Sequence, residues 1–180
     1  MNLSVARRSP IVVVIAMALF LATCRTLQRV RGPLHAELRT DSTDIGVRFG
    51  GEVYVAKIGF VLVNTTAGPI SHGGCGILPL PQVEKLVNAS WVAAYYPIDA
   101  ACRTFPDLSL ASGAAYRNQI DFTAAPRGGR SMPALQVDSI NGVYRLHWTW
   151  YEGASRHSPL DQSPRRPVEA ISNQFRMILR

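Results

Sequence analysis

The chain has 180 residues, of which 47% are apolar and 17% are charged, and its formal net charge is +7. This composition excludes a disordered chain and fits one globular domain with a leader. Removal of residues 1–23 would take away Arg7 and Arg8 and lower the net charge from +7 to +5. Such a moderate excess is compatible with acidic partners and diagnostic of none.

The N-terminal segment has the organisation of an export signal. Arg7 and Arg8 precede an unbroken apolar run, residues 11–22. A helix of about 12 residues reaches about 18 Å, which is too short for a hydrocarbon core of about 30 Å. A short basic segment followed by a short apolar segment and small residues is typical of a secretory signal. We therefore expect residues 1–23 to be a signal peptide and the protein to be exported.

The end of this signal, Leu21-Ala22-Thr23-Cys24, resembles the lipobox of bacterial lipoproteins. The resemblance implies that Cys24 is lipidated and anchors the chain to a membrane of the cell envelope, on its periplasmic or surface face. An ordinary cleaved signal is the alternative, because lipoboxes usually have Gly, Ala or Ser where Thr23 stands. With lipid on Cys24, the remaining cysteines, Cys75 and Cys102, are left to form a disulfide in an oxidising compartment.

Residues 24–45 show no clean periodicity and are interpreted as a tether, followed by a folded domain at 46–180. Within that domain, residues 53–64 are apolar on both faces, which favours a central strand. Shorter strands are predicted around residues 70–72, 82–87, 91–96, 116–122, 135–137 and 175–179, and residues 108–113 are interpreted as a strand edge that runs into a turn. Asn88-Ala89-Ser90 is interpreted as a three-residue hairpin loop. No amphipathic helix is predicted.

The clearest strand is predicted at residues 142–150. Its aromatic and apolar residues alternate with polar ones, so that Tyr144, Leu146, Trp148 and Trp150 share one face. Core packing is expected for these tryptophans and for Trp91. The segment that ends at Leu146 resembles the tyrosine corner of immunoglobulin-like and fibronectin-III-like domains, in which a Tyr hydroxyl bonds to the upstream backbone. This resemblance implies an all-β, antiparallel, immunoglobulin-like Greek-key sandwich, and turn spacing indicates about seven to nine strands.

Candidate chemistry is sparse. His72-Gly73-Gly74-Cys75-Gly76 is interpreted as a glycine-rich turn with a structural disulfide. The alternative is a small periplasmic hydrolase or a metal-binding protein centred on His72 and Cys75, but His35, His147 and His157 are scattered and supply no evident further ligands. We expect no enzymatic activity, no cofactor and no metal.

Arginines on two predicted loops are the candidate binding residues. They are Arg127, Arg130, Arg156, Arg165 and Arg166. Loops at the ends of a sandwich commonly carry binding sites. We therefore expect an interaction domain that binds an envelope protein or an acidic glycan, and the compartment disfavours nucleic acid. A protease inhibitor is the alternative among binding proteins.

Overall fold

The computed structural model describes residues 34–72, 80–97, 108–130, 133–153 and 165–180. These ranges contain strands and no helix, and therefore no helix that could cross a membrane. The strands are β1 (Leu34–Thr40), β2 (Asp44–Phe49), β3 (Tyr54–Val63), β4 (Ile70–His72), β5 (Gln82–Val87), β6 (Ser90–Tyr95), β7 (Leu108–Leu110), β8 (Ala115–Ala124), β9 (Gly142–Glu152), β10 (Pro167–Ile171) and β11 (Phe175–Leu179).

β3 is a central strand, as its sequence predicted. One edge pairs along its whole length with β8, and the other edge pairs with β2 and then with β1. Ile58, Phe60 and Leu62 face the interior and are fully buried, while Val61 and Val63 on the opposite face are half-buried. A strand that is covered on both faces reads as a continuous apolar run, which explains its composition.

All strands belong to one mixed sheet. β1 and β2 succeed each other beside β3, and β10 and β11 succeed each other beside β9. β1 pairs with β10 and β2 pairs with β11, and both of these pairings are parallel. The antiparallel prediction is therefore wrong for these contacts. Hairpins impose antiparallel pairing only on strands that are close in sequence, and these strands lie at opposite ends of the domain.

The sheet curves so that its two halves pack face to face, which gives a sandwich-like, all-β domain. The rings of Phe60 on β3 and Trp148 on β9 meet edge to face, with centroids 5.7 Å apart. The ring centroids of Tyr95 on β6 and Phe122 on β8 lie 4.5 Å apart, with the two ring planes tilted by 46°. Aromatic residues from both halves thus fill one common core, where offset and edge-to-face contacts are favourable.

The predicted alternation of β9 is confirmed. Tyr144, Leu146, Trp148 and Trp150 are buried, while the residues between them are half-buried on the outer face. The Tyr144 hydroxyl donates a hydrogen bond to the Ile140 carbonyl oxygen at 2.7 Å, so this side chain bonds back to the upstream backbone. Burial raises the pKa of this hydroxyl, so it stays protonated and donating.

The tether interpretation is wrong from residue 34 onward. β1 and β2 are integral strands, and they were missed because each contributes only two buried side chains, Ala36 with Leu38 and Ile45 with Val47. Pairing with other strands fixes the position of β1 and β2 in the sheet, so their own sequences contain little strand pattern. Residues 1–33, which include the predicted signal and Cys24, lie outside the described residues.

Three local predictions also need correction. The β5–β6 hairpin turns on two residues, Asn88 and Ala89, whose φ values of 49° and 63° suit a tight turn that matches strand twist. No strand forms at residues 135–137. Ala134, just before this segment, forms an isolated β-bridge with Ala125, and Leu135 is buried within a loop. β10 was not predicted, because it begins with a proline.

Candidate functional site

A cluster of interacting polar side chains crosses three strands on the outer face of the sheet. It consists of Glu84 on β5, then Arg145, His147 and Thr149 on β9, and Glu169 on β10, and is called the histidine network here. Glu84 stands opposite Arg145 in the β5–β9 register, and Glu169 stands opposite Thr149 in the β9–β10 register. Strand pairing therefore brings these side chains together from distant parts of the sequence.

The imidazole ring of His147 lies between two carboxylates. Its Nδ1 is 3.0 Å from Glu84 Oε1, and its Nε2 is 2.6 Å from Glu169 Oε2. Arg145 Nε donates to the other Glu84 oxygen at 2.6 Å, and the Thr149 hydroxyl donates to Glu169 at 3.2 Å. With both ring nitrogens protonated, each carboxylate receives two donors.

The network is shielded from water although it lies on a surface. The exposed fractions of the side chains are 11% for Glu84, 20% for Arg145 and 30% for His147. Burial by itself would lower the pKa of His147, but hydrogen bonds to Glu169 and Glu84, together with their negative charge, outweigh it and raise the pKa. A protonated ring can donate to both carboxylates, and two cations then balance two anions.

This geometry suits positioning better than proton transfer. A general base needs a ring nitrogen within hydrogen-bond reach of a substrate, whereas both nitrogens of His147 face carboxylates. Among the residues that the structure describes, no group of three or more His, Cys, Asp or Glu side chains is arranged to hold a metal ion. The network joins β5, β9 and β10 by charged hydrogen bonds across the sheet.

Aromatic and apolar side chains surround the network on the same face. The guanidinium of Arg145 lies over the Trp91 ring at 4.4 Å, and the amide of Gln82 donates to the Tyr96 hydroxyl at 3.2 Å. Leu86 pairs with Trp91 in register and Ile171 pairs with His147, which places both beside the network. This surface, the histidine network with Leu86, Trp91, Tyr96 and Ile171, is called the network face.

Trp91 differs from its prediction. It is half-buried under Arg145 and is not part of the core, whereas Trp148 and Trp150 are core residues. A β-bulge between Val83 and Glu84 shifts the β5–β6 register, which puts Trp91 outward while Tyr95 points inward.

His72, the other histidine singled out by the sequence, lies on β4 against the core. Its Nδ1 is 3.1 Å from the Thr149 carbonyl oxygen, and its ring centroid is 5.6 Å from those of Trp148 and Trp150. The residues predicted to form its site or the disulfide, Cys75 and Cys102, lie outside the described residues, as does Arg156.

The remaining arginines occupy two separate regions. Arg127 and Arg130 follow the end of β8, which pairs with the start of β3. Arg165 and Arg166 precede β10, whose partner β1 pairs with the end of β3. A ten-residue strand separates these ends by about 33 Å. Arg127 forms an ion pair with Asp138 at 2.7 Å. The four arginines that the structure describes therefore do not form a single patch.

Comparison with protein-family models and with curated proteins finds no match to this sequence.

Proposed function

We propose that this chain is an exported, lipid-anchored protein whose sandwich-like domain binds a protein of the bacterial cell envelope without carrying out a reaction. The observation that supports the proposal is the network face. The few residues that dominate the binding energy at protein interfaces are enriched in tryptophan, tyrosine and arginine. Here Trp91, Tyr96 and Arg145 occur together on one sheet face, next to exposed Leu86 and Ile171.

The side chains of this face are held in place before any partner arrives. Arg145 is fixed by Glu84 on one side and by the Trp91 ring beneath it. Binding then costs little additional side-chain entropy, which otherwise amounts to about 0.5–1.5 kcal/mol for each immobilised long side chain. A fixed aromatic and arginine pair within an apolar rim supports stable recognition of another protein surface.

The charge of the network face favours a protein over an acidic glycan or a nucleic acid. Arg145 and protonated His147 are balanced by Glu84 and Glu169, so the face offers no net positive field to a polyanion. Its mixed charges suit a partner surface that also carries both signs, where complementarity determines specificity more than affinity.

We also propose that the domain belongs to the broad immunoglobulin-like class. The hydrogen bond from Tyr144 to Ile140 supports that assignment, and the two parallel strand pairs depart from its antiparallel pattern. Interaction is a common use of such sandwiches, but fold alone does not determine function. The functional proposal therefore depends on the network face.

Site-specific photo-crosslinking in the native host tests the proposal. A photoreactive residue replaces Leu86 on the network face or Val55 on β3 in the opposite half, two positions that are each 36% exposed. We expect one dominant protein adduct from position 86 and none from position 55, and we expect Trp91→Ala to abolish the adduct. Adducts from both positions, or from neither, would contradict binding through the network face.

A further inference from the structure

A cavity lies on the other side of β5, between the β5–β6 hairpin and the segment that leads into β9. Its volume is about 330 Å³, within the lower part of the range of small-molecule sites. Val87, Val92, Ala93 and Val137 give it apolar walls. Lys85 lines the cavity, and Arg127 and Asp138 contribute its remaining charges.

Lys85 is a buried cation that forms no ion pair with any carboxylate in the described part of the chain. Only 8% of the residue is exposed, and its Nζ donates one hydrogen bond, to the Ser139 carbonyl oxygen at 2.5 Å. The ammonium also lies 5.7 Å from the centroid of the Tyr144 ring. Among the residues that the structure describes, no carboxylate forms an ion pair with it, and Asp138 is already paired with Arg127.

Contacts with neighbouring residues position the Lys85 side chain. A Cβ atom on Gly142 would lie 2.5 Å from Lys85 Cε, so a larger residue there would require the end of the Lys85 side chain to shift. Tyr144 fixes the carbonyl of Ile140 next to Ser139, whose own carbonyl accepts the Lys85 hydrogen bond. The ammonium is therefore held at a defined place beside the cavity.

A buried charge is costly unless it is paired. Desolvation lowers the pKa of Lys85 by more than the nearby charge of Asp138 raises it. An anion in the cavity would supply the missing partner and could accept the two ammonium hydrogens that have no described acceptor.

We propose that this cavity binds a small carboxylate with an apolar body, through an ion pair with Lys85 and contacts with the valine walls. A single charge suits the site better than a phosphate dianion, because Asp138 adds a negative charge at the cavity. The site is separate from the network face, since successive residues of a strand point to opposite faces and Glu84 belongs to that face.

The chain offers an internal control, because Lys57 and Lys85 are its only lysines and Lys57 is 74% exposed. The full chain, labelled with ¹³C and ¹⁵N at lysine, gives one set of side-chain signals for each. Hexanoate is titrated to concentrations on the order of 50 mM, since a ligand of this size is expected to bind with a dissociation constant of about 1 mM. Hexan-1-ol and inorganic phosphate are titrated in parallel.

We expect hexanoate to shift the Lys85 signals and raise the pKa of Lys85, while the Lys57 signals stay constant. Hexan-1-ol and phosphate should bind at least about tenfold more weakly, because each lacks one half of the recognised chemistry. The absence of a selective shift at Lys85, or equal binding of either control compound, would overturn the proposal.

Two variants extend the test to the cavity walls. In Lys85→Met, the methyl signals of Val92 and Val137 should no longer respond to hexanoate, whereas in Lys57→Met they should respond as in the parent chain. An unchanged response in Lys85→Met would also overturn the proposal. If Lys85→Met does not fold, the titration of the parent chain still decides, because Lys57 serves as its reference.

Discussion

His147 is expected to make the stability of the domain depend on pH. The substitution His147→Gln removes the ring that joins Glu84 and Glu169 and keeps a polar side chain in its place. At pH 6 we expect the free energy of unfolding to fall by about 2 kcal/mol, since hydrogen bonds between charged groups contribute about 1.5–3 kcal/mol. The loss is less than that of two such bonds, because Glu84 keeps Arg145 and Glu169 keeps Thr149 as donors.

The direction of the pH dependence follows from the raised pKa of His147 in the folded state. The ordinary value is 6.5, and although burial opposes it, the hydrogen bonds to Glu169 and Glu84 raise the folded value above that. The folded state therefore holds the proton more tightly than the unfolded state. Its contribution is complete below about pH 6.5 and is lost as pH rises through the folded pKa. Between the two pKa values, stability falls by at most about 1.4 kcal/mol per pH unit.

Urea unfolding, followed by the fluorescence of buried Trp148 and Trp150, measures this effect at several pH values between about 5.5 and 9. The difference between the parent chain and His147→Gln at each pH removes the contribution of other titrating groups, among them Lys85. His35→Gln is the matched control, because His35 is exposed and stands opposite Glu169 in the β1–β10 register. A difference that stays constant, or that grows with rising pH, would refute the role assigned to His147.

Three further predictions concern other parts of the chain. Tyr144→Phe should lower the free energy of unfolding by about 1–2 kcal/mol, because it removes the 2.7 Å hydrogen bond to the Ile140 carbonyl oxygen. The control Tyr96→Phe should change it by less than about 0.5 kcal/mol. Equal losses would contradict a special role for the Tyr144 hydroxyl. Asn64→Ala should lower the free energy of unfolding by about 3 kcal/mol in the same urea assay. The fully buried Asn64 amide donates to the carbonyls of Gly68 and Leu110 and accepts from Thr66. A loss below about 1 kcal/mol would show that the fold does not need these bonds. Mass spectrometry of the membrane-extracted protein should find a lipid-bearing N-terminal Cys24, and a soluble product that begins elsewhere would refute the anchor. Cys75 and Cys102 should resist alkylation until they are reduced, and free labelling of both cysteines would refute the disulfide.

The strands with strong patterns could be predicted from the sequence, and those defined by their neighbours could not. β3 and β9 contain enough apolar residues at the right spacing to specify a covered strand and an alternating one. β1 and β10 each bury only small or few side chains, and they are held by parallel pairing with each other and by antiparallel pairing with β3 and β9. Because strand propensity depends largely on such context, their short sequences carry little signal of their own.

The histidine network could not be predicted for a related reason. Glu84 precedes His147 by 63 residues and Glu169 follows it by 22, so only the registers of β5 and β10 on β9 bring them together. The sequence placed Arg145, His147 and Thr149 on the outer face, but polar residues there are the ordinary pattern of a strand with one solvated side. The outward placement of Trp91 depends on a β-bulge, which no residue type in that stretch signals.

The position of the network also argues for a role in addition to stability. Exposed ion pairs contribute little, and charges that lose their water often cost as much as their pairing returns. A face that only had to be soluble would leave Glu84 and Arg145 hydrated, yet both are largely covered and Arg145 is fixed over Trp91. Fixing these groups is useful when a second surface must meet them in one arrangement. We therefore propose that Trp91→Ala weakens partner binding more than it changes stability, and a loss of stability without any loss of crosslinking from position 86 would show that the network serves the fold alone.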